Sequence, residues 1–94
     1  MIVSFRDRET ERIWSGERSR RLPPWIQATA LRKLRQLDAV ASLAELRVFR
    51  GNRLEPLSGN RLGQFSIRIN DQWRICFCWT ERGPQDVEIV DYHA

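Results

Sequence analysis

Apolar residues recur along this chain at two different periods, and the change of period divides it. Ile26, Ala30, Leu34 and Leu37 fall at helical spacing, and Leu31 widens their stripe. Pro23 and Pro24 stand where such a helix begins, because a first-turn proline forfeits no intrahelical hydrogen bond. Gln27, Arg32, Lys33, Arg35 and Gln36 lie largely off the stripe and predict a basic outer surface. Beyond Gly51 the period shortens to two. Phe65, Ile67 and Ile69 alternate with Ser66 and Arg68; Trp73, Ile75, Phe77 and Trp79 then alternate with Arg74, Cys76 and Cys78. Asn70–Gln72 reads as the hairpin turn between these strands, Glu81–Gln85 as a second turn, and Asp86–His93 as a last strand.

The flanking segments complete the outline. Met1–Phe5 is an apolar run suited to a first strand. Ser4 or Asp7 then caps a helix to about Ser15, with Phe5, Ile13 and Trp14 inward and Gly16 ending it. Ser42 and Glu45 fit a capping box ahead of a brief helical turn. The sequence GNRL occurs at Gly51–Leu54 and again at Gly59–Leu62. With Pro56 and Gly63 close by, it reads as turn chemistry around a short strand rather than as a structural repeat. Helices followed by a meander predict an α+β fold. The sheet is small, antiparallel-dominated and three- or four-stranded, with two or three N-terminal helices on one face and arginines on the other. A length of 94 residues suits a single domain over 1–94.

Composition sharpens the picture mainly through charge. The net charge is +4, the isoelectric point is near 10.0, and fifteen of the sixteen basic residues are arginine, Lys33 being the exception. Arginine presents a rigid fork of donors that matches phosphate oxygens and stacks on bases, so a polyanion or an acidic protein is the expected partner. The same composition also suits a domain that uses arginine for surface charge alone. No apolar run approaches the roughly 20 residues needed to span a bilayer, and the first residues lack the order of a signal peptide. A cytoplasmic protein with no membrane partner is expected. Cys76 and Cys78 point the same way from one strand, too far apart for a comfortable disulfide, and read as reduced packing residues. Two cysteines and one histidine are too few for a structural zinc site, so neither metal nor cofactor is expected.

One constellation carries chemistry. His93, the single histidine, follows Asp91 and Tyr92, while Arg68 and Arg74 are expected on an open sheet face beside the last strand. Histidine titrates near neutrality and suits general acid or base work. Cleaving RNA through its own 2′-hydroxyl needs such a group, together with arginines that stabilise charge building on the phosphate. By residue type alone the signal is modest, since a histidine here is usually an ordinary surface residue. Strand alternation also sets Asp91 and His93 opposite Tyr92.

The order LEPLSGNRLGQFSIRINDQWRICF followed by VEIVDYH resembles the HigB host-inhibition-of-growth toxins of the RelE/ParE superfamily, and MIVSFRDRETERIW is similar to that family's opening. The likeness covers essentially the whole chain. It implies the RelE-like fold and the toxin of a type II toxin–antitoxin pair. Such a toxin is a ribosome-dependent mRNA endoribonuclease working without metal, and it inhibits translation and growth. It also implies catalytic roles for His93, Arg74, Tyr92 and Asp91. The implied partners are the ribosome, mRNA and a helix-turn-helix, HigA-like antitoxin through which alone operator DNA is met. Two positions depart from the pattern. Ser58 stands in PLSG where relatives commonly carry a lysine (PLKG), and Glu55 stands where some place a histidine. A missing positive charge beside the phosphate predicts weakened cleavage unless Arg53, Arg61 or Arg68 supplies it by binding RNA there. The alternative implied by the same superfamily is a non-catalytic, protein-binding toxin of the gyrase-inhibitor kind, or an attenuated homologue.

Overall fold

The computed structural model describes residues 1–92, so His93 and the role expected of it lie outside the described residues. Helix α1 spans Arg8–Trp14 and is capped by Asp7, whose carboxylate accepts from the Thr10 N–H at 2.7 Å. Of the two capping residues that the sequence allows, Asp7 is therefore the one used. Gly16, at φ +83°, lets the chain turn away after the helix. Helix α2 spans Pro24–Ala39 and buries Ile26, Ala30, Leu34 and Leu37, as its stripe predicts. Ser42 makes no side-chain cap for the 3₁₀ turn Leu43–Val48, and Glu45 accepts from the Ala41 N–H at 2.9 Å rather than from that of Ser42, so the expected capping box does not form.

The strands are β1 (Glu55–Pro56), β2 (Gln64–Arg68), β3 (Trp73–Thr80) and β4 (Gly83–Asp91), paired antiparallel in the order β1-β2-β3-β4. The two GNRL copies form 3₁₀ turns at Arg50–Asn52 and Gly59–Arg61 on either side of β1, the turn–strand–turn arrangement expected of them. The turn predicted over Glu81–Gln85 is tighter than expected, because β4 already begins at Gly83. Met1–Phe5 does not form a strand of its own. It runs parallel to the β4 edge with one bridge, Phe5 to Val87, and Val3 N–H donates to the Pro84 carbonyl at 2.7 Å.

A bulge in β4 sets the faces of the sheet. Cys76 pairs with Glu88 and Cys78 with Gln85, so two β4 residues, Asp86 and Val87, oppose Phe77 alone. Asp86 takes φ +54°, and its N–H donates to Ser4 Oγ at 2.9 Å. Val87 and Ile89 then join Phe77, Ile75 and Ile67 against α2, while Glu88 shares the other face with Cys76. At the β4 edge, the Ile89 N–H donates to the buried Thr10 Oγ1 at 2.9 Å and ties the strand to α1.

Two sequence expectations about exposure fail for one physical reason. The second sheet face is not open: Ser66 and Cys76 are fully buried and Arg74 is 8% exposed. The segment from Arg50 to Leu62 folds back over it, with Leu57 buried and its N–H donating to the Gln64 carbonyl at 2.8 Å. Lys33, expected on the basic outer surface of α2, is likewise buried and donates from Nζ to Asn52 Oδ1 at 2.6 Å. In both places a side chain that points off the main core is covered by the same irregular segment.

Candidate functional site

Arg74 organises the covered face. Its Nε donates to Ser66 Oγ at 2.6 Å, and one terminal nitrogen donates to the Arg53 carbonyl at 2.5 Å and to the Ser66 carbonyl at 3.3 Å. Arg53 can offer that carbonyl because it takes a left-handed conformation, φ +42°, at the end of a 3₁₀ turn. Glu55 stands 3.9 Å from the guanidinium and is half exposed, so the ion pair is long and open to competition. The Tyr92 ring centroid lies 5.9 Å from the guanidinium carbon, at the outer edge of a cation–π contact. A buried guanidinium fixed along one edge by neutral acceptors keeps its full positive charge.

Beside it sits an ion pair that sequence reasoning missed. Arg61 donates to Glu88 at 2.7 Å and to Gln64 Oε1 at 3.1 Å, and Arg6 reaches Glu88 at 3.9 Å. The Glu88 hydrogen bond is the main reason that the Arg61 pKa is raised, outweighing partial burial. Cys76 lies on this face, and burial pushes its thiol pKa up, with Arg61 and Arg74 pulling the other way. Ser66 and Glu88 were hidden from the sequence because each depends on β-sheet register, and the register of Glu88 depends on the bulge. The alternation that put Ser66 beside Arg68 and opposite Phe65 was the one available signal.

The remaining candidates are distributed around this centre. Tyr92 is exposed and lies on the Arg74 side of β4. Asp91 lies opposite Trp73 and accepts from Gln72 Nε2 at 3.1 Å, away from Tyr92 as strand alternation requires. Arg68 pairs closely with Asp71 in the β2–β3 hairpin. Arg53 contributes its carbonyl to the centre, and its residue is exposed. Ser58 is exposed, just before the second 3₁₀ turn. The structure thus brings Arg74, Tyr92, Arg53 and Arg61 to one face, sets Arg68 opposite Arg74 in the β2–β3 register but paired with Asp71, and leaves Asp91 engaged at the hairpin.

Comparison with known proteins agrees with this architecture. A family model described as the RelE-like toxin of the type II toxin–antitoxin system HigB matches residues 3–93. Toxin HigB-1 of Vibrio cholerae serotype O1 (strain ATCC 39315 / El Tor Inaba N16961) is 39% identical over 82 residues, covering 86% of this chain and 86% of that protein. The match therefore spans the helices, the whole meander and the Arg74 face together, and this chain belongs to the HigB-like family of RelE-like toxins of type II toxin–antitoxin systems.

Proposed function

We propose that this toxin is an endoribonuclease that cuts mRNA on the ribosome, using the substrate's own 2′-hydroxyl as nucleophile and no metal. The observation that carries this reading is the held guanidinium of Arg74, buried, permanently charged and facing Tyr92 near the end of β4. Arg74 binds the oxygens of the scissile phosphate, in place of the weak contact with Glu55, and stabilises the added charge of the transition state. A group held in advance does this without reorganising when the charge appears.

His93 is the general acid or base. In the reaction the 2′-oxygen gives up its proton and bonds to phosphorus, the bond from phosphorus to the 5′-oxygen breaks, and that oxygen takes a proton. The products are a 2′,3′-cyclic phosphate and a 5′-hydroxyl. Tyr92 stacks on a base or hydrogen-bonds the substrate, and Asp91, through Gln72, steadies the strand end that bears both residues. Arg53, Arg61 and Arg68 are the further RNA contacts; Arg61 acts with its charge partly neutralised by Glu88.

As a type II toxin this protein has an antitoxin for a partner. We take that antitoxin to be a HigA-like helix-turn-helix protein that carries the operator contacts, and the site of action to be the cytoplasm. Among the described residues no helix is long and apolar enough to cross a membrane. The test is mapping of mRNA 5′ ends after expression of wild type and His93→Ala. Cuts in wild type that vanish in the variant are expected. Unchanged cutting in His93→Ala would sink the assignment, and growth arrest with no cutting in either would favour a protein-binding toxin.

A further inference from the structure

We propose that a cleft between α1 and the loop after it is a second RNA site, which takes the phosphate backbone of structured RNA. The cleft holds about 490 Å³ and is lined by Arg8, Glu9, Arg12, Arg18, Arg20 and Arg21. Five guanidinium groups share it with one carboxylate. Arg12 is weakly paired, at 3.7 Å from Glu9 and 3.9 Å from Glu17. Among the described residues, no carboxylate lies within ion-pair distance of Arg8, Arg18, Arg20 or Arg21. Arg74 and Arg68 on the sheet and Arg61 in the turn beside it each have an acidic neighbour. Like charges gathered in one concavity repel, and they raise the local concentration of a polyanion that neutralises them.

The loop that carries three of these arginines is held in shape. Ser19 is buried; its hydroxyl donates to Glu9 at 2.7 Å and accepts from the N–H groups of Arg21 and Leu22 at 3.2 and 3.1 Å. From α2, Gln27 accepts from the Ser19 N–H at 3.1 Å and donates to the carbonyls of Ser19 and Leu22, both at 2.8 Å. The backbone of Arg18–Arg21 is thereby pinned to both helices. Fixing the loop beforehand lowers the ordering cost when a ligand binds.

The lining selects the ligand class. None of its residues is apolar or aromatic, so it offers neither a stacking platform for unpaired bases nor the apolar anchor usual in a protein interface. The cleft between α2 and the Leu43–Val48 turn differs in this respect, for Val40, Val48 and Phe49 line it. Arginine forks with no other recognition element suit phosphates of a folded RNA backbone, bound without regard to sequence. The site is separate from the Arg74 centre, whose partners come from β2 and the covering segment. It rests on the RNA-directed reading above only for the choice of polyanion.

Equilibrium binding of a fluorescently labelled RNA hairpin to the full chain tests it, over a range of salt. The triple variant Arg18→Glu/Arg20→Glu/Arg21→Glu is compared with the charge-matched Arg32→Glu/Arg35→Glu/Arg47→Glu. The loop triple should weaken binding about tenfold or more beyond the control, and reduce the salt slope by about one for each phosphate it no longer neutralises. Thermal unfolding checks the fold, and an Arg→Gln triple replaces the Glu triple if that one unfolds. Equal losses in the two triples would show diffuse charge and overturn the site. So would unchanged RNA affinity and slope in the loop triple accompanied by lost antitoxin binding, which would make the cleft a protein surface. Absence of mRNA cleavage by wild type would reject the endoribonuclease reading but leave this binding result standing.

Discussion

Arg74 of β3 donates from Nε to Ser66 Oγ of β2 at 2.6 Å, beneath a segment that shields both from water. The bond is charge-assisted, and it sets the plane of the guanidinium together with the Arg53 carbonyl. Lysine cannot reproduce two bonds from one rigid fork. Arg74→Lys is therefore expected to lower ribosome-dependent mRNA cleavage by about 10²-fold or more while the chain stays folded. Ser66→Ala leaves a buried charged donor unpaired and should cost about 1–3 kcal/mol in denaturant unfolding, with cleavage falling in parallel. Cleavage at the wild-type rate in both variants would remove Arg74 from the mechanism.

Ser58 offers a gain-of-function experiment. Its backbone is extended and its side chain is exposed, so lysine fits there without strain. Ser58→Lys adds a positive charge on this face, and on the endoribonuclease reading proposed above should raise cleavage roughly tenfold by stabilising the phosphate transition state. An unaltered rate would mean that another cation, such as Arg53 or Arg61, already supplies that charge.

Lys33 and Asn52 make a pH-dependent contribution to stability. Burial, followed by the Arg32 and Arg68 charges, holds the Lys33 pKa below its usual 10.5. Between the lowered folded value and the unfolded one, the unfolded chain binds more protons, so this group makes stability rise with pH across that alkaline window. Cys76 acts in the opposite sense. Its folded pKa is above 9.0, so its contribution is present below that pH and lost as pH rises through the folded value. Urea unfolding between about pH 8 and pH 11 should show the rise steepen in Cys76→Ala and flatten in Lys33→Met. Asn52→Leu, which strips the ammonium of its 2.6 Å acceptor, should cost about 1–3 kcal/mol or more near neutral pH.

Gly83 explains how the N-terminal segment reaches the β4 edge. Its φ is +126°, and a Cβ built there would stand 2.2 Å from the Met1 carbonyl oxygen. Neither the conformation nor the close approach admits a side chain. Gly83→Ala should cost about 1–3 kcal/mol and push the first residues off the sheet. Faster hydrogen exchange at the Val3 and Arg6 amides, which donate to Pro84 and Val87, would report the displacement.

Much of the architecture is local and so was legible. The 3.6-residue stripe of α2, the two-residue alternation of β2 and β3, the Asn70–Gln72 turn and the punctuation of the GNRL copies each arise from neighbours in sequence. Asn70 illustrates why, because its side chain accepts from the N–H groups of Gln72 and Trp73, both at 2.8 Å, and needs no distant partner. Arg74 and Tyr92 were legible as candidates through residue type and family likeness, but their environment was not.

What the sequence by itself determined, then, is which side chains leave each helix and strand on the same side, since that follows from backbone period alone. Whether a side meets water is a different matter. Ser66, Cys76 and Arg74 alternate as outward residues should, yet Arg50–Leu62 returns across them and makes a second buried layer. The same return covers Lys33. The bulge at Asp86 and Val87, which brings Glu88 to Arg61, likewise depends on pairing between strands rather than on the strand itself. Burial and register are properties of contacts between segments far apart in the chain, and only the tertiary structure decides them.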